Sequence, residues 1–177
     1  MSEFYPSSFE DTEAHTFLKS DRKVRYTYDD IHDLVRMGAS MLRESNFEPD
    51  YIISIAGGGL IPARILRSYV DVPILNMTVT SYDGDSHKPT KEPYILQTID
   101  PNLIRDKRVL IVDEVDDTRG TLKKVISELY SIVEEWGIFV VHNKNKRKDY
   151  LIDTDVTYIA CENTDGDTWI EYPWDLI

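Results

Sequence analysis

Residues 108–122, which read RVLIVDEVDDTRGTL, constrain this chain more than any other stretch. Val109-Leu110-Ile111-Val112 is a continuous apolar run, the pattern of a strand buried on both faces of a parallel sheet. Four acids then fall within five residues: Asp113, Glu114, Asp116 and Asp117. After Thr118-Arg119-Gly120-Thr121, the apolar residues Leu122, Val125, Ile126 and Leu129 recur at helical spacing. The predicted unit is a buried strand that ends in carboxylates, turns through small hydroxyl-bearing residues and starts a helix. In open α/β sheets, ligands bind beyond the carboxyl ends of the strands. The turn's backbone N–H groups, with the Thr118 and Thr121 hydroxyls, sit where a helix N-terminus offers orphan donors and a positive dipole end, which suits a phosphate. The acids before it would repel a phosphate unless they face ribose hydroxyls, a metal or a proton to be removed. The plainer alternative is an acidic turn with Thr118 as N-cap of an ordinary helix.

Other segments fit the same architecture. Thr27-Tyr28-Asp29-Asp30 predicts a helix start with Thr27 as N-cap and acids in the first turn. Tyr51-Ile52-Ile53-Ser54-Ile55 reads as a second buried strand, followed by Ala56-Gly57-Gly58-Gly59 and a short helix. Three glycines after a strand let backbone approach a ligand closely. Residues 72–77 predict a third strand. Residues 80–93 are polar and broken by Gly and Pro, which predicts a functional loop, with Tyr94-Ile95-Leu96 returning as a strand. Ile138-Phe139-Val140-Val141 predicts a strand that runs into the basic segment His142-Asn143-Lys144-Asn145-Lys146-Arg147-Lys148. An ammonium just past that strand end could donate to a carbonyl oxygen; Lys144 is favoured over Lys146. Residues 156–160 predict a further strand, and the tail 167–177 holds Trp169, Ile170, Tyr172, Trp174 and Asp175, which alone would read as a hydrophobic plug.

Charge sets a problem for the chemistry. The 177 residues suit one domain, and their net charge of −12 would be repelled by nucleic acid or an anionic membrane. A polyanionic substrate therefore needs a donor-lined loop, a few placed cations or a divalent metal. A single cysteine, Cys161, excludes an internal disulfide framework. No run approaches a membrane span or the apolar core of a signal peptide, so a cytoplasmic location is expected.

Taken in order, Gly-Gly-Gly-Leu-Ile-Pro-Ala-Arg, Val-Asp-Glu-Val-Asp-Asp-Thr-Arg, His-Asn-Lys-Asn-Lys and Trp-Ile-Glu-Tyr-Pro-Trp-Asp resemble the 6-oxopurine phosphoribosyltransferases of type I, in their yeast and bacterial forms. The resemblance runs from about Tyr26 to Asp175. It implies an α/β fold, an open and mostly parallel twisted sheet flanked by helices, with a small C-terminal hood. With it the chain reads as one domain over 1–177, with a mobile lid loop at 79–97 and a base-binding hood at 156–177; residues 1–22, polar with scattered aromatics, read as an N-terminal arm outside the resemblance.

The implied reaction joins a 6-oxopurine (guanine, hypoxanthine or xanthine) to phosphoribosyl diphosphate (PRPP), giving a 5′-mononucleotide and pyrophosphate in purine salvage. By resemblance, Asp113 and Glu114 hold the ribose hydroxyls, and Asp117 takes the N7 proton as N9 attacks. Thr118, Arg119, Gly120 and Thr121 cradle the 5′-phosphate, and Gly57 and Gly58 hold pyrophosphate, often across a non-proline cis peptide. Many relatives carry a basic residue where this chain has Gly57. Lys144 donates to O6, Trp169 stacks on the base and the Ile170 backbone meets its edge. Ser81 and Tyr82 match the mobile loop. Mg2+ is the implied cofactor, with Glu114 near one ion and Asp175 reaching a second through water. A homodimer or higher homo-oligomer is implied, without nucleic-acid or membrane partners. The alternatives are a PRPP- or nucleotide-sensing regulator of the same fold and an enzyme for another base. An unrelated phosphate-binding protein fits poorly, because the triple glycine lacks a P-loop lysine and no Gly-x-Gly-x-x-Gly occurs.

Overall fold

The computed structural model describes residues 22–82 and 89–175. Its strands are β1 (Lys23–Arg25), β2 (Tyr51–Ala56), β3 (Ile74–Tyr82), β4 (Pro89–Gln97), β5 (Arg108–Asp116), β6 (Glu135–Asn145), β7 (Tyr158–Asp165) and β8 (Trp169–Glu171). Its helices are α1 (Tyr28–Glu44), α2 (Leu60–Leu66), α3 (Pro101–Ile104) and α4 (Gly120–Leu129). Six strands form one sheet in the order β4-β3-β2-β5-β6-β7, parallel except for the β3–β4 edge pair. β1 and β8 make a separate parallel pair.

The continuous apolar runs are explained by burial on both sheet faces. Leu110 and Val112 of β5 pack with Ile31, Val35, Ala39 and Leu42 of α1 and with Ala63 and Leu66 of α2. Val109 and Ile111, pointing the other way, pack with Leu122, Val125, Ile126 and Leu129 of α4. α1 opens on the predicted cap: the Asp30 N–H donates to the Thr27 hydroxyl at 3.2 Å and the Thr27 N–H donates to the Asp30 carboxylate at 2.7 Å.

Two expectations need correction. Most of residues 80–93 is hairpin rather than irregular loop: Val79 lies opposite Ile95, Thr80 opposite Tyr94 and Tyr82 opposite Pro89. Pro89 and Pro93 are tolerated because β4 is the sheet edge, where the outer N–H positions need no ladder partner. Ser81 and Tyr82 end β3, and the centre of the expected lid, residues 83–88, lies outside the described residues, as do 1–21 of the arm. The last sheet strand runs over Tyr158–Asp165 rather than stopping at 160, so much of the expected hood segment is sheet. Only the β8 region stands apart, clamped by β1: the Trp169 N–H donates to the Arg22 carbonyl at 2.8 Å and the Tyr26 N–H to the Glu171 carbonyl at 3.1 Å.

Candidate active site

The carboxyl ends of β2, β5 and β6 converge on one edge of the sheet, where residues 113–122 line a cavity of about 160 Å³. β5 does not stop at the acids. It continues through Asp116, which lies opposite Asn143 of β6, so the carboxylates are held by a strand.

Asp116 is the structural centre of the loop, a role the sequence reading did not give it. Its side chain is fully buried. Oδ2 accepts from Arg119 Nε at 2.9 Å and from the Tyr158 hydroxyl at 2.7 Å, and Arg119 Nη2 lies 2.8 Å away. Burial first, and the bond to Asp116 second, push the Tyr158 hydroxyl far above its ordinary pKa, so it remains a donor. Lys148 lies 3.4 Å from Asp116 Oδ1 and donates to the backbone carbonyls of Asp116 and Asp117 at 2.6 and 2.8 Å. The Asp149 N–H donates to the Thr118 carbonyl at 2.9 Å, so the segment after β6 staples the turn in place.

That staple explains the start of α4. Arg119, not Thr118, occupies the N-cap position, with φ 75° and no side-chain cap. Its guanidinium is turned inward to Asp116, which leaves its backbone N–H to the loop. With no intrahelical acceptors before them, the N–H groups of residues 119–122 are orphans of a helix N-terminus. The Thr118 hydroxyl lies near Gly120. The result is a donor-lined loop held by buried charges beneath it. Asp116→Asn is expected to cost about 3–5 kcal/mol of stability, because Arg119 and Lys148 lose their buried counter-charge. Urea unfolding measures this; a loss below about 1 kcal/mol, the size of an ordinary exposed pair, would contradict the central role of Asp116.

Asp117 faces outward. Its Oδ2 lies 3.5 Å from Lys144 Nζ, and its Oδ1 contacts Lys146 Nζ. Both lysines named by the sequence therefore reach the same carboxylate. Lys144 is the more enclosed, 13% exposed against 33% for Lys146.

The β2–α2 turn closes the other side. The Ala56–Gly57 peptide is cis. Among the described residues, the Gly57 and Gly58 N–H groups have no hydrogen-bond partner, while the Gly59 N–H donates to the Ile55 carbonyl at 3.0 Å. A Cβ on Gly58 would collide with the Glu114 carboxylate, whereas one on Gly57 would meet open space. The turn can thus lie directly over Glu114 only with glycine at 58.

Asp113, Glu114 and Asp175 form an acidic group distinct from the Asp116 cluster. Burial, followed by the Glu114 charge, raises the Asp113 pKa well above the ordinary carboxylate range, and the same two causes raise Asp175. None of the ion pairs among the described residues involves these three acids. A divalent cation would offset that accumulated charge. No group of three or more His, Cys, Asp or Glu side chains among the described residues is placed to hold an ion unaided. Carboxylate oxygens are the donor type a hard divalent cation takes.

Trp169 is 60% exposed and free to stack, while Ile170 is buried. Tyr172 and His142, also passed over by the sequence reading, are buried behind them. Little in the sequence could have signalled Asp116, Lys148, Tyr158, His142 or Tyr172, because each acts through a partner distant in the chain.

The sequence profile of the phosphoribosyl transferase domain matches residues 27–176. Hypoxanthine-guanine phosphoribosyltransferase of Schizosaccharomyces pombe is 37% identical, over 86% of this chain and 89% of its own length. Xanthine phosphoribosyltransferase 1 of Saccharomyces cerevisiae is 34% identical, over 89% of this chain and 92% of its own length. A crystal structure of a hypothetical protein from Neisseria gonorrhoeae with bound ppGpp superposes with a TM-score of 0.80 at 39% identity, covering 88% of this chain and 90% of that one. The chain belongs to the phosphoribosyltransferase family.

Proposed function

We propose that this site transfers the phosphoribosyl group of PRPP to N9 of a 6-oxopurine in purine salvage. The observation that carries the reading is the Lys144–Asp117 pair, a donor and an acceptor 3.5 Å apart on neighbouring strand ends. The purine edge offers the complement: an acceptor at O6 beside a proton at N7. Adenine has an amino donor at position 6 instead. The relatives named for hypoxanthine, guanine and xanthine, and the Neisseria structure with its guanine nucleotide, support the same base class.

In this reading, the 5′-phosphate sits in the loop of residues 118–121, on the orphan N–H groups of residues 119–121 and the Thr118 and Thr121 hydroxyls. The pyrophosphate lies against the Gly57 and Gly58 N–H groups. Asp113 and Glu114 accept from the ribose hydroxyls. Trp169 stacks on the base, worth about 1–3 kcal/mol in comparable base–aromatic contacts, and Ile170 meets its edge through the backbone. Lys144 holds O6 and so orients N9 toward the anomeric carbon. As the bond from that carbon to pyrophosphate breaks, N9 bonds to it and Asp117 takes the N7 proton. The carboxylates beneath the ribose stabilise the positive charge that develops there. Glu114 and Asp175 would hold Mg2+, which when bound neutralises the diphosphate.

The reading extends to a cytoplasmic homodimer or larger homo-oligomer. Met37 and Met41 on α1 and Leu60 on α2 are exposed apolar side chains that a second copy would cover in such an assembly. Incubating the protein with Mg·PRPP and guanine, hypoxanthine or xanthine should yield mononucleotide and pyrophosphate in equal amounts. No product with any of the three bases would overturn the reading.

A further inference from the structure

One buried hydrogen-bond chain joins the hood to the acidic strand end and has no part in the mechanism above. His142 of β6 is fully buried, and its Nδ1 lies 2.8 Å from the Tyr172 hydroxyl. That hydroxyl donates to the Glu114 backbone carbonyl at 3.0 Å. A phenol has one proton, and a carbonyl can only accept. Tyr172 must therefore give its proton to Glu114 and accept from His142, which fixes the imidazole as the Nδ1–H tautomer. In that tautomer Nε2 carries no proton and has no hydrogen-bond partner among the described residues, so the chain ends at His142; the nearby Glu162 carboxylate, 3.3 Å away, accepts instead from the Tyr26 hydroxyl at 2.8 Å. Burial lowers the His142 pKa to about 4 against the opposing pull of the Glu162 charge.

The place of the contact gives it consequence. The β2–β5 pairing stops at Ser54 opposite Val112, two residues before Glu114. The β5–β6 pairing runs on to Asp116, and the Tyr172 hydroxyl adds a side-chain donor to the Glu114 carbonyl. The carboxylate of the same residue packs against Gly58 under the cis turn. The Tyr172 ring stacks on Trp174, with centroids 4.8 Å apart and planes at 8°. It lies between Ile170 and Asp175 in sequence, inside the hood. One side chain thus touches the base-side segment and the backbone of the residue assigned to ribose and metal.

We infer that Tyr172 is a positioning residue, oriented by His142, that sets Glu114 for Mg·PRPP. The inference rests on the reading of Glu114 given above. Its test is a double-mutant cycle of Tyr172→Phe with Glu114→Gln, read as KM for Mg·PRPP, KM for guanine and kcat, with thermal melting to verify folding. Tyr172→Phe keeps the ring packing and removes only the hydroxyl. It should raise KM for Mg·PRPP about tenfold, the scale of one lost hydrogen bond, while KM for guanine moves by less than about threefold. In the Glu114→Gln background the same change should have little further effect, because it acts through Glu114. His142→Asn, which retains a donor, should stay near wild type, and His142→Leu should behave like Tyr172→Phe. Additive effects in the cycle, or equal shifts in both KM values, would overturn this inference alone. If Glu114→Gln leaves KM for Mg·PRPP unchanged, both this inference and the assignment of Glu114 fall.

Discussion

Asp117→Asn should lower turnover by roughly 10²–10⁴-fold while Mg·PRPP still binds, the range expected when a general base is lost. The side chain keeps its size, so the turn above it has no steric cause to move. That turn is held from below by Asp116, Arg119, Tyr158 and Lys148, whose hydrogen bonds run to one another and to the Asp117 backbone rather than to its carboxylate. The amide cannot take the N7 proton, and it cannot balance Lys144 and Lys146, which contact the carboxylate in the free protein. Removing an acid beside the phosphate loop should leave PRPP affinity unchanged or slightly higher. Single-turnover rates with saturating guanine, together with PRPP binding by calorimetry, separate the two effects. Near-wild-type turnover would remove Asp117 from the chemistry. Lost PRPP binding with a folded protein would instead make it part of the cradle.

The second large effect concerns the choice of base. A site built to hydrogen-bond one group can reject an analogue lacking it by roughly 10⁴–10⁵-fold. Lys144 has three donors and no acceptor, so it matches O6 and opposes an amino group. Adenine should be refused to about that extent by the wild-type protein. Lys144→Ala should lower kcat/KM for guanine and narrow its advantage over adenine, because part of the discrimination is the unfavourable meeting of ammonium with amino group. Trp169→Ala should weaken all accepted bases alike, since every purine has a face to stack. Lys146→Ala distinguishes the two lysines: Lys146 is the more exposed, and its loss should leave the guanine-to-adenine ratio intact. A collapse of the ratio in Lys146→Ala but not in Lys144→Ala would exchange their roles.

What was readable in the chain followed from local physics. The apolar run before Asp113 can be a strand only if both its faces are covered, and α1, α2 and α4 cover them. The Thr27–Asp30 cap, the glycine turn and the stripe from Leu122 to Leu129 are likewise written in adjacent residues. What was hidden depended on distance along the chain. Asp116 looks like one more acid in an acidic run, and only the fold brings Tyr158 and Lys148 to it. Arg119 beside two threonines reads as a phosphate ligand; the left-handed backbone there sends its guanidinium inward. Residues 80–93 looked irregular because prolines and polar residues break the usual strand pattern, yet an edge position tolerates them. Tyr172 read as part of a plug, because its link to Glu114 spans 58 residues.

The most direct test of the Lys144–Asp117 reading is the ratio of kcat/KM for guanine and adenine, measured as pyrophosphate release from Mg·PRPP by the unmodified protein. The predicted result is release with guanine, hypoxanthine or xanthine and a rate with adenine lower by roughly 10⁴-fold or more. Adenine turned over as fast as guanine would contradict the 6-oxopurine assignment, even with the fold and the phosphate cradle intact.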